Sequence, residues 1–517
     1  MNSDSKLLRR EFLGAACAPV LMAQTTAQER DRGVVPFGYF RGEPLRIGAG
    51  VQLLADDYLV EDRWKLTRRL GQVAKHLRNP VIAQDKPWED HVGAYPCVLY
   101  DDKADKYRMW YQCFSLSNYY ARHLGPAYYV GYAESDDAFN WTKPMLQGFP
   151  FRKHQRTNIV TAGRKGTRAA GAQVLLNPDQ SDPKRRFLMV YIHWGQIDLA
   201  YSADGLHWDI VEEPLFRFHS DFPNHLVWIP ERQLWYLYLR PSIRPQGESR
   251  RIPEGERHTG RRLAVATSPD LKTWSEPRTI LYPDERDQPD YDNLYVFRRY
   301  GVFFALHAQM FQEAGRSETE THLAVSRDGL HWERTWDRTP FIPRGAEGSY
   351  DHGQVEPGTS PPLEVGDDLL IYYYASPKGQ SEPVATETSV AVCRLRKDRF
   401  VGQWADSLTG YLVTRQFRLE GSRLEINCIS NLAPYTQPDW GIRVEILEPP
   451  DYQTRETRWE KRVPGFTLED CDNIRKDALA HTVSWKGKSD LSALKGRAVY
   501  LRFQMKKAGL YSFRIAP

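Results

Sequence analysis

Between residues 85 and 405 the chain repeats one pattern of apolar and polar positions. An apolar or aromatic run comes first: Arg108-Met109-Trp110-Tyr111, Phe187-Leu188-Met189-Val190-Tyr191, Trp235-Tyr236-Leu237-Tyr238 and Phe303-Phe304-Ala305-Leu306. A second run follows each: Tyr129-Val130-Gly131-Tyr132-Ala133, Leu199-Ala200-Tyr201, Leu263-Ala264-Val265-Ala266 and Leu323-Ala324-Val325. The second run leads into S-x-D-x-x-x-W, which spans Ser135 to Trp141, Ser202 to Trp208, Ser268 to Trp274 and Ser326 to Trp332. Short apolar runs bounded by turn residues read as strands. A fifth unit runs from Tyr350 through Leu369-Leu370-Ile371-Tyr372-Tyr373 to Val390-Ala391-Val392, its motif decayed between Arg394 and Trp404.

Repetition at a near-constant period marks repeat architectures. A unit of a few antiparallel strands leaves faces and edges open, and circular repetition buries the faces and leaves only short edges. The pattern therefore predicts an all-β chain with a five-bladed β-propeller over 85–401. Asp137, Asp204, Asp270 and Asp328 are assigned to turns, because Asp bonds backbone amides two residues on. Gly205 and Gly329 supply positive φ cheaply.

After Trp404 the repeat ends. Leu424-Glu425-Ile426-Asn427, Ile442 to Ile446, Thr482-Val483-Ser484-Trp485, Val499 to Phe503 and Leu510 to Ile515 alternate in polarity. They predict a C-terminal β-sandwich over 402–517. Its expected role is support of the propeller, with glycan binding as the alternative, since no exposed aromatic row is evident. Residues 28–84 are expected as a lead-in packing on the propeller.

Composition sharpens this picture. A chain of 517 residues exceeds one core, since cores stop growing beyond roughly 250–300 residues. Aromatics at 12%, with 15 Trp and 28 Tyr, favour strands. The balance of 70 basic and 66 acidic residues gives +4, and no basic block interleaves with aromatics, so nucleic acid is not an expected partner. Six Cys show no C-x-x-C spacing. Cys97, Cys113 and Cys393 fall in predicted strands, whereas Cys428 and Cys471 share the C-terminal region and could pair in an oxidising compartment.

Residues 1–27 read as an export signal. Arg9-Arg10-x-Phe12-Leu13 resembles a twin-arginine signal, and Leu13-Gly14-Ala15-Ala16-Cys17 is a looser lipoprotein box. The apolar stretch from Phe12 to Ala23 is shorter than the ~20 residues that span a bilayer. A periplasmic or extracellular protein without integral membrane contact is expected.

In a propeller, residues ahead of the inner strands face one central funnel. Five segments occupy that position: Trp88-Glu89-Asp90-His91, Thr157-Asn158 with Gln173, Ser220-Asp221-Phe222-Pro223-Asn224, Asp290-Tyr291-Asp292-Asn293, and Tyr350-Asp351-His352-Gly353-Gln354-Val355-Glu356. Converging carboxylates repel, so one keeps its proton and serves as general acid. Glycoside hydrolysis needs that pairing of a protonated acid with a carboxylate base or nucleophile. Asp90 is the favoured base or nucleophile; Asp221 and Asp292 are candidates for helper and acid, and Glu356 or Asp351 for the acid instead. Trp88, Tyr95, Tyr291 and Tyr350 are candidate sugar platforms. Asn158, Asn224 and Gln354 are candidate polar contacts, and His91 and His352 would orient sugar or hold a central divalent cation. No cofactor and no metal ligand set is assigned.

The S-x-D-G-x-x-W units, the Arg78-Asn79-Pro80 lead-in and the order of propeller then sandwich resemble the five-bladed propeller glycoside hydrolases. That group includes families 32, 43, 68 and 130, and the domain order is similar to family 32. The resemblance implies a carbohydrate substrate and three acids around the funnel, in an exo-acting glycosidase. The chain lacks the W-M-N-D-P-N-G, R-D-P and Glu-Cys motifs, so its site is assigned by position. Two alternatives stand beside this. One is a family 130-like phosphorylase holding phosphate through Arg152, Lys153, His154 and Arg156; the other is a glycan-binding propeller without catalysis.

Overall fold

A computed structural model describes residues 44–241, 261–288, 290–313, 316–334, 337–380, 387–430, 437–449 and 461–517. The chain divides into two compact units, Met1–Gly38 and Tyr39–Pro517. The first unit lies outside the described residues, and so does the expected export signal. The second is all-β apart from one short α-helix, Leu116–Tyr120, and single turns of 3-10 helix among the described residues. No described helix is long and apolar enough to cross a membrane.

Five antiparallel meanders follow one another. The first holds Cys97–Asp101, Lys106–Phe114, Tyr128–Ser135 and Ile159–Thr161, with His91–Val92 extending its first edge. The second holds Ala170–Leu176, Phe187–His193, Gln196–Ser202 and Asp209–Ile210. The third holds Ser220–Ile229, Leu234–Pro241, Leu263–Ser268 and Arg278–Leu281. The fourth holds Asp290–Arg299, Val302–Glu313, Arg316–Ser326 and Glu333–Arg334. In the fifth, Gln354–Pro357 and Leu363–Val365 pair with Asp368–Ser376, which pairs with Ser389–Arg396. One parallel pairing, Thr319 with Gln354, joins the fourth and fifth meanders into a single sheet.

Each meander packs on the next through side chains that alternate off its strands. Trp110 and Tyr132 pack with Val174 and Phe187, Leu188 and Val190 with Leu226 and Leu237, and Tyr236 and Tyr238 with Val296 and Phe303. Phe304 and Leu306 pack with Ile371 and Tyr373. The fifth meander then packs on the first, through Leu370, Tyr372, Val390 and Val392 against Val98, Met109 and Ala133.

The repeated motif builds a turn between a third and fourth strand. Ser135 Oγ accepts from Ala138 N at 3.0 Å, and Asp137 Oδ1 accepts from Phe139 N and Asn140 N at 2.9 and 2.7 Å. Asp204, Asp270 and Asp328 cap the equivalent amides at 2.7–2.8 Å. The same turns stitch neighbouring meanders. Trp110 Nε1 donates to Gly205 O at 2.8 Å, Tyr238 OH to Gly329 O at 3.0 Å, and Tyr372 OH to Ala138 O at 2.5 Å. Gly205 has φ 74° and lies against Trp110, where a Cβ would approach the indole to 2.8 Å.

The fifth unit loses its motif for a structural reason. Its outermost strand is Ala74–Lys75, which pairs with Cys393 and Arg394. The chain downstream is thereby released to form Val401–Ala405 in the next sheet.

The C-terminal residues form two sheets around one core. One contains Val401–Ala405, Arg423–Ser430, Ala478–Thr482 and Ala508–Ala516; the other contains Gly410–Thr414, Phe417–Arg418, Gly441–Leu447 and Ala498–Lys506. Leu424, Ile426 and Phe513 meet Leu412, Val444 and Phe503 between them. The segment expected to pack on the propeller also supplies strands here. Gln52–Leu53 and Thr67–Leu70 join the first sheet, and Val60–Trp64 joins the second. The segment Thr482 to Trp485, read as a strand, lies at and beyond the end of Ala478–Thr482, and Trp485 is buried in the core. Cys428 and Cys471 are free, buried thiols. Cys471 Sγ accepts from Val444 N at 3.2 Å, so each sulfur fills the core as a small apolar group and the two do not pair.

Candidate active site

Three first strands carry a register shift near their start: between Ala170 and Gln173, between Asp221 and His225, and between Tyr291 and Leu294. A bulge of this kind re-aims side chains. In the third meander Asn224 fixes it, donating Nδ2 to Asp221 O at 2.8 Å and accepting from Ser220 Oγ at 2.7 Å. In the fourth meander the bulge presents Asp292 and Asn293.

Arg240, near the end of Leu234–Pro241, draws the acids together. Its Nη1 donates to Asp292 Oδ1 at 2.6 Å, and its Nη2 donates to Asp221 Oδ2 at 2.5 Å. Arg261 Nη1 also donates to Asp292 Oδ1, and its backbone N donates to Asp290 Oδ1 at 2.9 Å. Glu356 enters from the fifth meander. Asn293 Nδ2 donates to its Oε2 at 2.9 Å, and Thr319 Oγ1 to its Oε1 at 3.3 Å. Asp292 and Glu356 are fully buried at their side chains or nearly so, whereas the Asp221 side chain is 43% exposed.

The two buried acids are driven apart. Burial pushes the Glu356 carboxyl well above the usual range, and the negative charge of Asp292 pushes it further. Burial also opposes ionisation of Asp292, but Arg261 and Arg240 outweigh it and hold that carboxyl below its ordinary value. Asp292 Oδ2 receives no hydrogen-bond donor, and its closeness to Glu356 is what drives the two carboxyls in opposite directions. Arg240 is raised above its ordinary value: burial opposes its charge, and Asp292 and Asp221 outweigh that.

Tyr95 flanks this group. Burial and then the charges of Glu356 and Asp292 push its phenol well up. Its φ of 56° is left-handed, a conformation that costs a bulky residue about 1–3 kcal/mol. Thr359 Oγ1 donates to its carbonyl at 3.2 Å and helps hold it there. Tyr374 pairs with Glu356 across the fifth meander and is raised by burial and by Glu356.

Other sequence-chosen residues lie in separate networks. Asp90 accepts from Leu116 N at 2.8 Å and so anchors the start of the short helix. Asp351 is buried and accepts from Lys75 Nζ at 2.5 Å and Tyr373 OH at 3.1 Å, which ties the Ala74–Lys75 strand to the fifth meander. Trp88 is 1% exposed and donates Nε1 to Asn158 Oδ1 at 2.8 Å. Tyr291 is also fully buried, its hydroxyl donating to Tyr282 O at 3.2 Å. Neither ring offers a face to a sugar: Trp88, Asn158 and Tyr291 hold cores. Tyr350 OH meets Tyr373 OH at 3.0 Å and accepts from Asn79 Nδ2 at 2.9 Å. Gln354 Nε2 donates to Lys378 O at 2.8 Å. His91 stands edge-on to Phe114, and His352 lies 3.4 Å from Gly345 O. In the basic cluster, Arg152 bonds Asn118 Oδ1 at 3.0 Å and Arg156 bonds Met145 O at 2.7 Å. Among the described residues no group of three or more His, Cys, Asp or Glu is placed to hold a metal ion.

Arg240, Arg261, Thr319 and Tyr374 were not singled out from sequence. Each lies in or beside an apolar strand pattern, where nothing local separates a site residue from a strand-end polar one. The only signal was the Asp290-Tyr291-Asp292-Asn293 run, which already contained Asn293.

No protein-family model matches the chain, and no curated protein matches it. Among solved structures the chain is similar to an N-acetylgalactosamine deacetylase from F. plautii in complex with blood group B trisaccharide. The identity is 15%, over 65% of this chain and 97% of that one, with a TM-score of 0.42. It is similar to the catalytic domain of the GH62 α-L-arabinofuranosidase of Coprinopsis cinerea at 12% identity, over 63% and 97% of the two chains, with a TM-score of 0.41. A third likeness is to an endo-1,4-β-xylanase from Bacteroides thetaiotaomicron at 15% identity, over 58% and 89%, with a TM-score of 0.40.

Proposed function

We propose that this chain is a glycoside hydrolase, exported as a five-bladed β-propeller with a C-terminal β-sandwich, and that its reaction runs on Glu356, Asp292 and Asp221. The observation that carries the reading is a pair of neighbouring buried acids of which only Asp292 is bonded by arginines, so that Glu356 is held toward its protonated form and Asp292 toward its ionised form. A glycosidic oxygen is a poor leaving group until it is protonated, and a carboxyl that keeps its proton near neutrality can protonate it. Glu356 is the general acid. Asp292, neutralised in part by Arg240 and Arg261, supplies the field that keeps the Glu356 proton in place. Asp221 is the solvent-facing carboxylate, positioned by Arg240, and acts either as the base that takes a proton from the attacking water or as the nucleophile at the anomeric carbon. The ring of five meanders, closed by contacts of the fifth on the first, supports the propeller reading and explains how acids from three of them reach one place.

The test is a panel of aryl glycosides assayed without phosphate. The wild-type protein releases phenol from at least one member. Glu356→Gln loses roughly 10²–10⁴-fold in kcat/KM on a nitrophenyl glycoside. It loses far less on a dinitrophenyl glycoside, whose leaving group needs no proton. Inactivity across the panel, or equal losses on both leaving groups, overturns the assignment.

A further inference from the structure

The C-terminal sheet that contains Val60–Trp64 presents an ordered row of side chains away from its core. Trp64 pairs with Tyr411, Tyr411 with Gln504, and Gln504 with Arg443, across four strands. Beside it runs a second row, Asp62, Val413, Arg502 and Glu445. The intervening residues Leu412, Phe503 and Val444 point the other way into the core, so alternation alone places both rows on one outer face. Together with Arg462, the members of both rows other than Glu445 line an open cleft of about 550 Å³.

Two features of this cleft point to a ligand class. The first is aromatic exposure. Trp64 is 60% exposed at the edge of the row, and Tyr411 continues it inward with Gln504 Nε2 on its hydroxyl at 2.9 Å. Flat rings at a wet surface suit ligands with one apolar face and a polar rim. The second is charge. Glu445, wholly buried in the floor, pairs with Arg502 and lies 3.4 Å from Arg462. Glu469 pairs with Arg462 at 3.1 Å. Arg443 is pinned by the carbonyls of Leu468 and Cys471, each at 3.2 Å. The guanidinium groups are thus fixed as donors, and Glu445, Glu469 and Asp62 equal Arg443, Arg462 and Arg502 in number, so formal charge at the cleft balances. Fixed donors without net charge match hydroxyl groups, and they give no preference to an anionic chain.

We infer that this face is a binding site for a neutral polysaccharide chain, with Trp64 and Tyr411 as stacking platforms and Gln504, Arg443 and Arg502 as hydroxyl contacts. The site lies beyond the carboxylate group and does not depend on its chemistry.

Native gels cast with arabinoxylan, linear arabinan, galactomannan or mixed-linkage β-glucan, and a separate gel with polygalacturonate, test this on the full chain. The wild-type protein is retarded by at least one neutral polymer. Trp64→Ala and Tyr411→Ala each weaken that retardation about tenfold or more, the loss expected for a buried aromatic contact. Trp64→Ala melts at the wild-type temperature, and Glu356→Gln stays fully retarded. No retardation in any gel, retardation by polygalacturonate alone, or retardation unchanged by both aromatic variants overturns the proposal. So does retardation lost in Glu356→Gln and kept in Trp64→Ala, which would place glycan capture at the carboxylate group.

Discussion

The carboxylate group and the outer C-terminal face both gather polar side chains from distant strands, yet they treat charge in opposite ways. Around Asp292 and Glu356 the acids are buried against each other, and two arginines bond only Asp292. Burial and the charge of Asp292 hold Glu356 toward its protonated form. Around Trp64, Arg462 and Arg502 are met by carboxylates, and the indole stays 60% exposed with Lys65 Nζ 5.3 Å from its ring. The first arrangement makes a group that can donate a proton; the second makes a surface that can hold hydroxyls. Burial without balance creates reactivity, whereas balance with exposure creates recognition.

The largest effect that can break this contrast is on turnover. Glu356→Gln keeps the shape and removes the acid, and kcat/KM falls roughly 10²–10⁴-fold on an unactivated substrate. Next comes stability. Arg240→Met leaves Asp292 short of a buried counter-charge and lowers the unfolding free energy by about 3–5 kcal/mol, read by urea denaturation.

The pH profile sharpens the comparison further. Glu356 is raised above its ordinary value of 4.5, so activity persists above the usual carboxyl range and is lost as pH rises through the folded value. Asp292 is depressed below 3.8, so its ionised form is present above that value and is lost only at lower pH. Asp292→Asn removes the repelling charge, and the alkaline limb of kcat/KM moves to lower pH. An unmoved limb would separate the two acids. Gly205→Ala puts a methyl group against the Trp110 indole at positive φ and costs about 1–3 kcal/mol, read as a lower Tm. The smallest effect is at the exposed face, where Trp64→Ala changes stability by no more than about 0.5 kcal/mol.

Sequence reading succeeded where the structure is local. The S-x-D-x-x-x-W turns are built from atoms within a few residues, so Asp137, Asp204, Asp270 and Asp328 could be set aside as turn caps. Asp221, Asp292 and Glu356 stood out because each opens a first strand. Their roles were not legible, because Arg240 and Arg261 reach Asp292 from another meander. Asp90 and Asp351 matched the same positional rule, yet one anchors a helix and the other pairs with Lys75. Trp88 and Tyr291 looked like platforms because a position ahead of an inner strand does not report exposure. The Trp64 row was invisible for the converse reason: its four members come from strands far apart in the chain, and only register aligns them.

The short strands before residue 76 have a consequence for how the molecule comes into being. Val60–Trp64 must wait for Gly410–Thr414, and Ala74–Lys75 must wait for Ser389–Arg396. The earliest part of the described chain is therefore orphaned while most of the polypeptide is made, and settles only after its late partners emerge. Such distant pairings are entropically slow to form. The ring can shut only as a nearly finished chain, so a protein truncated before residue 389 has no partner for its own beginning.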